Sequence, residues 1–436
     1  MSLLGAGLRL PRHRATTAHL CAAYPFHAEA GLGARGVYLG TNRVAGDAAF
    51  CFDPFDLYTR DVITNPNMVV LGEPGCGKSA AVKCFLYRSV GALRSPGGGP
   101  RWVAVCDPKG EYQPLADALG LDVIRLHPGG ADRLNPLDAG PGGGQLDLVE
   151  LASRRTTLVA ALTAGVLRRP LTAVEDAAVG WAVDTVTHDT GPAEPTLADI
   201  AHLLAEPTAA MVERAASTVT ELVRSVDAAR FALGKLLERD LRGMFDGRSS
   251  RRSDWTGRGL VLDLSAVHAD ADALALVMIA ATAWLQGLLA PSGRAPDDGP
   301  RRIQVIDEAW ALLGNERTAR YLQACWKLCR AYGIANIAIA HRISDLRAQA
   351  DDGTATAKLG AGLLADTQTR VLFRQSSDQI AQASDLLRLT PTEAELLPRL
   401  GKGRALWKVA GVSAVVAHVI GPDERALVNT DAHLVL

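Results

Sequence analysis

The stretch Met68-Val69-Val70-Leu71-Gly72-Glu73-Pro74-Gly75-Cys76-Gly77-Lys78-Ser79-Ala80-Ala81-Val82-Lys83 constrains the fold more than any other part of this 436-residue chain. Four apolar residues lead into eight that fit G-x-x-x-x-G-K-[ST], and the following residues carry helical spacing. A strand, a glycine-rich turn and a helix in that order start a β-α-β unit, and such units build a parallel sheet. Gly72, Gly75 and Gly77 let backbone N–H groups wrap a phosphate, where a Cβ would block the approach or forbid the dihedral. Lys78 is placed to reach the β- and γ-phosphates, and the Ser79 hydroxyl to ligate Mg²⁺. The helix that starts there adds its N-terminal dipole. Cys76 and Ala80 complete the loop, so the expected ligands are ATP and Mg²⁺. Only eight of the 46 basic residues are Lys, which makes a Lys at position 78 informative.

The flanking pattern extends the unit. Residues 36–55 alternate apolar and polar around Gly turns and predict a β-hairpin. Strands are predicted at Met68–Leu71, Trp102–Cys106 and Asp122–Leu126, with a helix through Val90 and another that stops at Gly120. This β-α-β-α-β order implies right-handed crossovers. PGGGQ (141–145) breaks it. From about 146 to 246 the chain is rich in Ala and Leu with helical spacing, and Pro195-Thr196-Leu197-Ala198-Asp199 reads as a helix start. Strands resume at Gly259–Leu264, Ile303–Ile306, Asn336–Ala340 and Arg370–Phe373. The expected organisation is an N-terminal segment with the hairpin (1–60), a first part of an α/β core (61–140), an all-α insertion (141–250) and the second part of the core (251–436).

Bulk composition narrows the partners. The chain is 48% hydrophobic with a formal net charge of −1, so it carries no global field attracting nucleic acid. DNA as a partner is therefore possible but not indicated by charge. The clearest basic run, Arg248-Ser249-Ser250-Arg251-Arg252, reads either as a phosphate-contacting pore segment or as a solvated loop, and no aromatic residues interleave it. The seven Cys are scattered. Cys325 and Cys329 have no second Cys/His pair near them in sequence and read as reduced thiols. No apolar run is long enough to span a bilayer, and apolar residues precede Arg at the start, the wrong order for a secretory signal. The expectation is a cytoplasmic protein that can dock on a membrane machine through partners.

The second chemical signal is Arg301-Arg302-Ile303-Gln304-Val305-Ile306-Asp307-Glu308-Ala309-Trp310. An apolar strand delivers two carboxylates at its C-terminal end, where parallel sheets place their ligands. Asp307 is expected in the Mg²⁺ shell, and Glu308 as the general base that polarises the attacking water. The pair points to hydrolysis coupled to movement.

Four boxes in order, namely the glycine loop, Asp107-Pro108-Lys109-Gly110-Glu111-Tyr112, Arg133-Leu134-Asn135-Pro136-Leu137 and the Asp307–Trp310 box, resemble the HerA–FtsK superfamily, most closely its VirB-class conjugative or type IV secretion ATPases. The resemblance covers roughly residues 36–436. It implies a RecA-like core, an inserted all-α domain and a hexameric ring with nucleotide at subunit interfaces, with secretion-channel components at the inner membrane face as partners. Such ATPases carry a large N-terminal domain. Here roughly 35 residues precede the hairpin, so the chain reads as the motor part, which leaves open whether a separate polypeptide supplies the remainder. The strand ending at Ala340 closes in the family on a Gln that senses the γ-phosphate. His341 stands here instead, either as a sensor or as a strand-end residue satisfied by backbone. Arg330 lies at the spacing of an arginine that reaches the neighbouring subunit's nucleotide, with a helix C-terminal cap as the alternative. Arg370 and Arg374 are second candidates for that arginine. Glu111 reads as a nucleotide-facing carboxylate or as a plain loop residue. Besides a secretion motor, the sequence leaves open a DNA translocase of the same superfamily and an ATP-binding scaffold with little turnover.

Overall fold

The computed structural model describes residues 31–140, 147–190, 194–239, 241–250, 257–289, 301–313, 319–320, 322–323, 326–327, 333–341 and 355–429. Its strands are β1 (Val37–Asn42), β2 (Ala48–Phe52), β3 (Met68–Leu71), β4 (Trp102–Asp107), β5 (Asp122–Arg125), β6 (Gly259–Asp263), β7 (Arg302–Ile306), β8 (Ile334–Ala340), β9 (Thr369–Leu372), β10 (Arg404–Val409) and β11 (Val412–His418). They form one sheet in the order β2-β1-β11-β10-β9-β3-β8-β7-β4-β6-β5. From β9 to β5 all neighbours run parallel. From β9 to β2 they run antiparallel. The fold is thus a mainly parallel α/β sheet with an N-terminal hairpin, as the sequence pattern implies.

β3, β4, β7 and β8 are buried along their whole length, as strands covered on both faces must be. Alternate residues feed two cores. Val69, Leu71, Ala104 and Cys106 join the core beneath the helical insertion, while Met68, Val70, Val103 and Val105 face the helices Lys78–Ala92 and Gln113–Leu119. Each fully buried Val or Leu contributes about 1.5–3 kcal/mol. The insertion comprises helices Leu148–Leu167, Ala173–Thr190, Leu197–Ala205, Ala209–Arg214 and Val219–Glu238. Capping boxes start two of them, at Thr196 with Asp199 and at Thr218 with Glu221. The insertion rests on helix Ala271–Leu289, which packs against β4. Asn135 stitches the insertion to the core: its Nδ2 donates to Pro195 O at 3.0 Å, and its Oδ1 accepts from Leu137 N at 3.1 Å. Among the described residues no helix is long and apolar enough to cross a membrane.

Two differences from the sequence pattern matter. Strand ends shift by one or two residues. More important, β10 and β11 form a hairpin that the pattern does not single out. Its turn at Ala410-Gly411 puts Ala410 at φ +52°, a conformation with no recognisable turn signal in the letters. The hairpin closes the gap between the N-terminal hairpin and β9, so the N-terminal strands join the sheet only through it.

Candidate functional site

The chemistry-bearing residues gather at the C-terminal edge of four adjacent parallel strands. Gly72 follows β3, Asp107 ends β4, Asp307 and Glu308 follow β7, and His341 follows β8. This is the edge where open α/β sheets bind ligands, because every strand there turns into a loop or a helix N-terminus.

The glycine loop has the backbone its sequence demands. Gly75 and Gly77 sit at φ +73° and +106°. A Cβ on Gly72 would lie 2.5 Å from Phe373 Cβ and 2.9 Å from Cys76 Sγ, so no other residue fits there. Two neighbouring segments prop the loop. Glu73 N donates to Arg374 O at 3.0 Å, and Gly403 N, at the foot of β10, donates to Cys76 O at 2.9 Å. Gly77 caps helix Lys78–Ala92 without any side-chain bond, which leaves the first N–H groups of that helix facing the loop. Ser79 and Ala80 open this helix, and both are half-buried. Burial raises the Cys76 thiol above its usual range, so it behaves as a small apolar filler.

Lys78 is 5% exposed and turned back on its own loop. Its Nζ donates to Gly72 O at 2.6 Å and to Glu73 O at 3.0 Å. It also lies 3.1 Å from His341 Nδ1. Burial pushes this ammonium below the usual lysine range. A desolvated cation among neutral carbonyls is primed to take an anionic ligand.

Asp307 and Glu308 occupy different environments. Burial and the neighbouring Glu308 charge raise Asp307 to about 6. Tyr112 Oη points at its Oδ2 from 3.5 Å. Glu308 is equally enclosed, and burial alone would raise it, but hydrogen bonds from His341 and Lys109 bring it to about 2. Its Oε1 lies 2.7 Å from His341 Nε2 and 2.5 Å from Lys109 Nζ. Glu308 sits at φ +53°, uncommon for a non-glycine residue and of the kind stored at functional sites. A carboxylate can only accept, so the His341 tautomer that satisfies both contacts carries its proton on Nε2 and accepts from Lys78 at Nδ1. His341 therefore links Lys78 of the glycine loop to Glu308.

Asp107 is structural. Its Oδ1 accepts from Lys109 N at 3.2 Å and its Oδ2 from Tyr112 N at 2.8 Å, which shapes the turn that presents Lys109. Glu111 holds the buried Lys83, through its carbonyl at 2.7 Å and its carboxylate at 3.9 Å. Arg370 is buried and clamps Leu364 O and Leu387 O, so it does not face the loop. Arg374 pairs with Glu73 of the glycine loop at 3.1 Å. Arg248 is exposed, while Ser249 and Ser250 bond to Asn135 N and Arg133 N. Arg330, Cys325, Cys329, Arg251 and Arg252 lie outside the described residues. The sequence places Lys109 and Tyr112 in a recognisable box but gives neither a role, and it does not single out Gly403 or Gln375, whose Nε2 donates to His341 O at 3.4 Å. For Lys109 the signal is present, a scarce Lys two residues after a strand-end Asp.

The residues suit the ligands that the motif implies. A cradle that a Cβ at Gly72 would fill, a helix N-terminus without a side-chain cap and a desolvated ammonium fit a phosphate chain. The Ser79 hydroxyl and the buried Asp307 carboxylate are hard oxygen donors of the kind that Mg²⁺ takes, and a cation there would offset the burial that disfavours the Asp307 charge.

No protein-family model and no curated protein matches the chain. Solved structures do. VirB4 of Thermoanaerobacter pseudethanolicus superposes with a TM-score of 0.70 at 20% identity, over 91% of this chain and 99% of that one. This chain has the VirB4 fold. The bacterial conjugative coupling protein TrwBΔN70 follows in its unbound form, with a TM-score of 0.56 at 17% identity over 90% and 96% of the two chains. Its sulphate complex superposes with a TM-score of 0.54. The RecA-like arrangement inferred from the four sequence boxes is therefore the observed one.

Proposed function

We propose that the chain is an ATP-hydrolysing motor of a conjugative or type IV secretion apparatus. The observation that carries this reading is the meeting of the glycine loop, Asp307, Glu308 and His341 at one sheet edge, within a fold shared with VirB4 along nearly its whole length. In this reading the N–H groups of Gly75, Gly77 and Lys78 and the start of the following helix hold the phosphates. Lys78 exchanges the Gly72 and Glu73 carbonyls for phosphoryl oxygens. Ser79 and Asp307 would hold Mg²⁺, which supplies charge neutralisation at those oxygens. Glu308 takes the proton of the attacking water, and its buried position keeps other water away. His341 touches both Lys78 and Glu308, so it is placed to report the arrival of phosphate to the base.

The finer reading is a hexameric ring in which Arg330 of each subunit reaches the next subunit's nucleotide, working at the cytoplasmic face of the inner membrane with secretion-channel components. A net charge of −1 favours export or assembly work over DNA translocation.

The test is ATP turnover and nucleotide affinity on size-fractionated protein, with and without DNA. Lys78→Ala is expected to abolish tight nucleotide binding. Glu308→Gln should keep binding and lose turnover by about 10²–10⁴-fold. Turnover at the parental rate in Glu308→Gln would remove Glu308 as the base. Strong stimulation by DNA would favour a translocase.

A further inference from the structure

The proposed mechanism leaves one charged group at the site without a task. Lys109 stands on the turn after β4, and its Nζ lies 2.5 Å from Glu308 Oε1. It also lies 3.4 Å from His341 Nε2, the ring nitrogen opposite the one facing Lys78. The His341 ring thus stands between two ammonium groups. Because Nε2 carries the proton given to Glu308, Lys109 cannot donate to it, and its attachment at the site is to the carboxylate.

A base held this way is poorly placed to act. Glu308 is 3% exposed at its side chain, and its Oε1 already accepts from Lys109 and His341. Water approaching that oxygen meets two donors in occupation. Lys109, by contrast, is 29% exposed at its side chain. Its backbone is anchored independently of its ammonium: Asp107 Oδ1 fixes the Lys109 N–H, and Gly110 at φ +70° completes the turn. The ammonium can swing on its four-carbon stem without any backbone movement.

Charge balance gives the swing a direction. Lys78 and Lys109 share this edge with the carboxyl groups of Asp107, Asp307 and Glu308, with the Lys83–Glu111 pair beside them, and Glu308 is the one that Lys109 touches. A terminal phosphate brings more negative charge than the single carboxylate that Lys109 now serves. It arrives next to Lys78, one imidazole ring away from Lys109.

Building on the nucleotide site proposed above, we infer that Lys109 is a γ-phosphate sensor and a gate on the base: its ammonium leaves Glu308 for the terminal phosphate, which removes one of the two donors held by Oε1 and lets water take that place. Lys109 is in this sense a positioning residue for Glu308. The diphosphate lacks the group that draws Lys109 away, so after hydrolysis and phosphate release the ion pair re-forms and the base is again covered. The arrangement stops the site from activating water when no γ-phosphate is present.

The experiment compares the affinities of Mg·ADP and of a non-hydrolysable ATP analogue, measured by calorimetry on the full chain, in the parent, Lys109→Met and Lys109→Arg. Lys109→Met should bind the analogue about 10- to 100-fold more weakly, the loss of one hydrogen bond between charged groups, and should bind ADP within about twofold of the parent. Lys109→Arg should recover much of the difference. KM for ATP should rise in Lys109→Met in step with the weakened analogue affinity, and fall back towards the parent value in Lys109→Arg. An equal loss of both nucleotides, or no loss of either, overturns the inference and makes Lys109 a structural counter-ion. A collapse of kcat with affinities intact overturns it in another way, making Lys109 essential to the chemical step. A parent that binds neither nucleotide would defeat the nucleotide site itself, which ADP binding reports independently of Lys109.

Discussion

Acid should loosen the phosphate loop through a residue far from it in sequence, His418 at the end of β11. The two ring nitrogens of His418 have opposite jobs. Nδ1 lies 3.1 Å from Gly403 O and donates to it, while Nε2 accepts from Trp407 Nε1 at 3.1 Å. The ring stacks on Phe373 with centroids 5.4 Å apart. Gly403 in turn donates to Cys76 O in the glycine loop. Protonating Nε2 would set two N–H groups against each other at Trp407. Burial, aided by the nearby Arg88 charge and opposed by the Gly403 carbonyl, lowers His418 to about 4 from the ordinary 6.5. Histidine in the unfolded chain takes its proton near pH 6.5, whereas the folded protein resists until about pH 4. Stability is therefore full above about 6.5 and falls as the pH drops through this window. At about 1.4 kcal/mol per pH unit the ceiling is about 3 kcal/mol. The residue keeps some exposure, so a loss of about 1–2 kcal/mol is expected. Urea unfolding at intervals between about pH 7.5 and 4.5, on the parent and on His418→Gln, measures it. The variant should start lower, by about 1 kcal/mol for an imperfect bond, and should lose less on acidification. Parallel pH curves for the two proteins would show that the fold does not hold this ring neutral.

Two further outcomes follow from single contacts. Asp53 pairs with the 3%-exposed Arg101 at 2.9 and 2.6 Å and also caps helix Pro54–Thr59, so Asp53→Ala should cost about 3–5 kcal/mol in chemical unfolding, because a buried guanidinium loses its counter-ion. Gly72→Ala should cost about 1–3 kcal/mol and abolish tight nucleotide binding, since the added methyl meets Phe373 Cβ, which can retreat only with its strand; parental stability in the Gly72→Ala variant would show that β9 yields more easily than its packing implies.

Much of this architecture is local chemistry, and so it is legible in the letters. Met68–Leu71 is a strand because four apolar residues before a glycine turn can be buried on both faces of a sheet. The following helix is announced by its glycine start, and the insertion by helical spacing and by Thr196 with Asp199. The phosphate-loop residues and the Asp307-Glu308 pair stand out for the same reason: their chemistry demands particular residue types at short, fixed spacing. What the letters leave undecided depends on contacts between distant segments. β10 and β11 carry no strong turn signal, and they become strands because β9 and β1 each offer an edge to pair with. Arg370 reads as a candidate for reaching a neighbouring subunit's nucleotide, yet its surroundings make it a clamp on two carbonyls. The identity of His341 is plain from the sequence, but only the sheet order, which lays β8 between β3 and β7, puts its ring between Lys78 and Glu308. Lys109 is separated from Glu308 by 199 positions and meets it because β4 and β7 are neighbours. A parallel sheet brings all its strand ends to one edge, so sequence alone determined which groups this protein could use, and the order of the strands decided which of them touch.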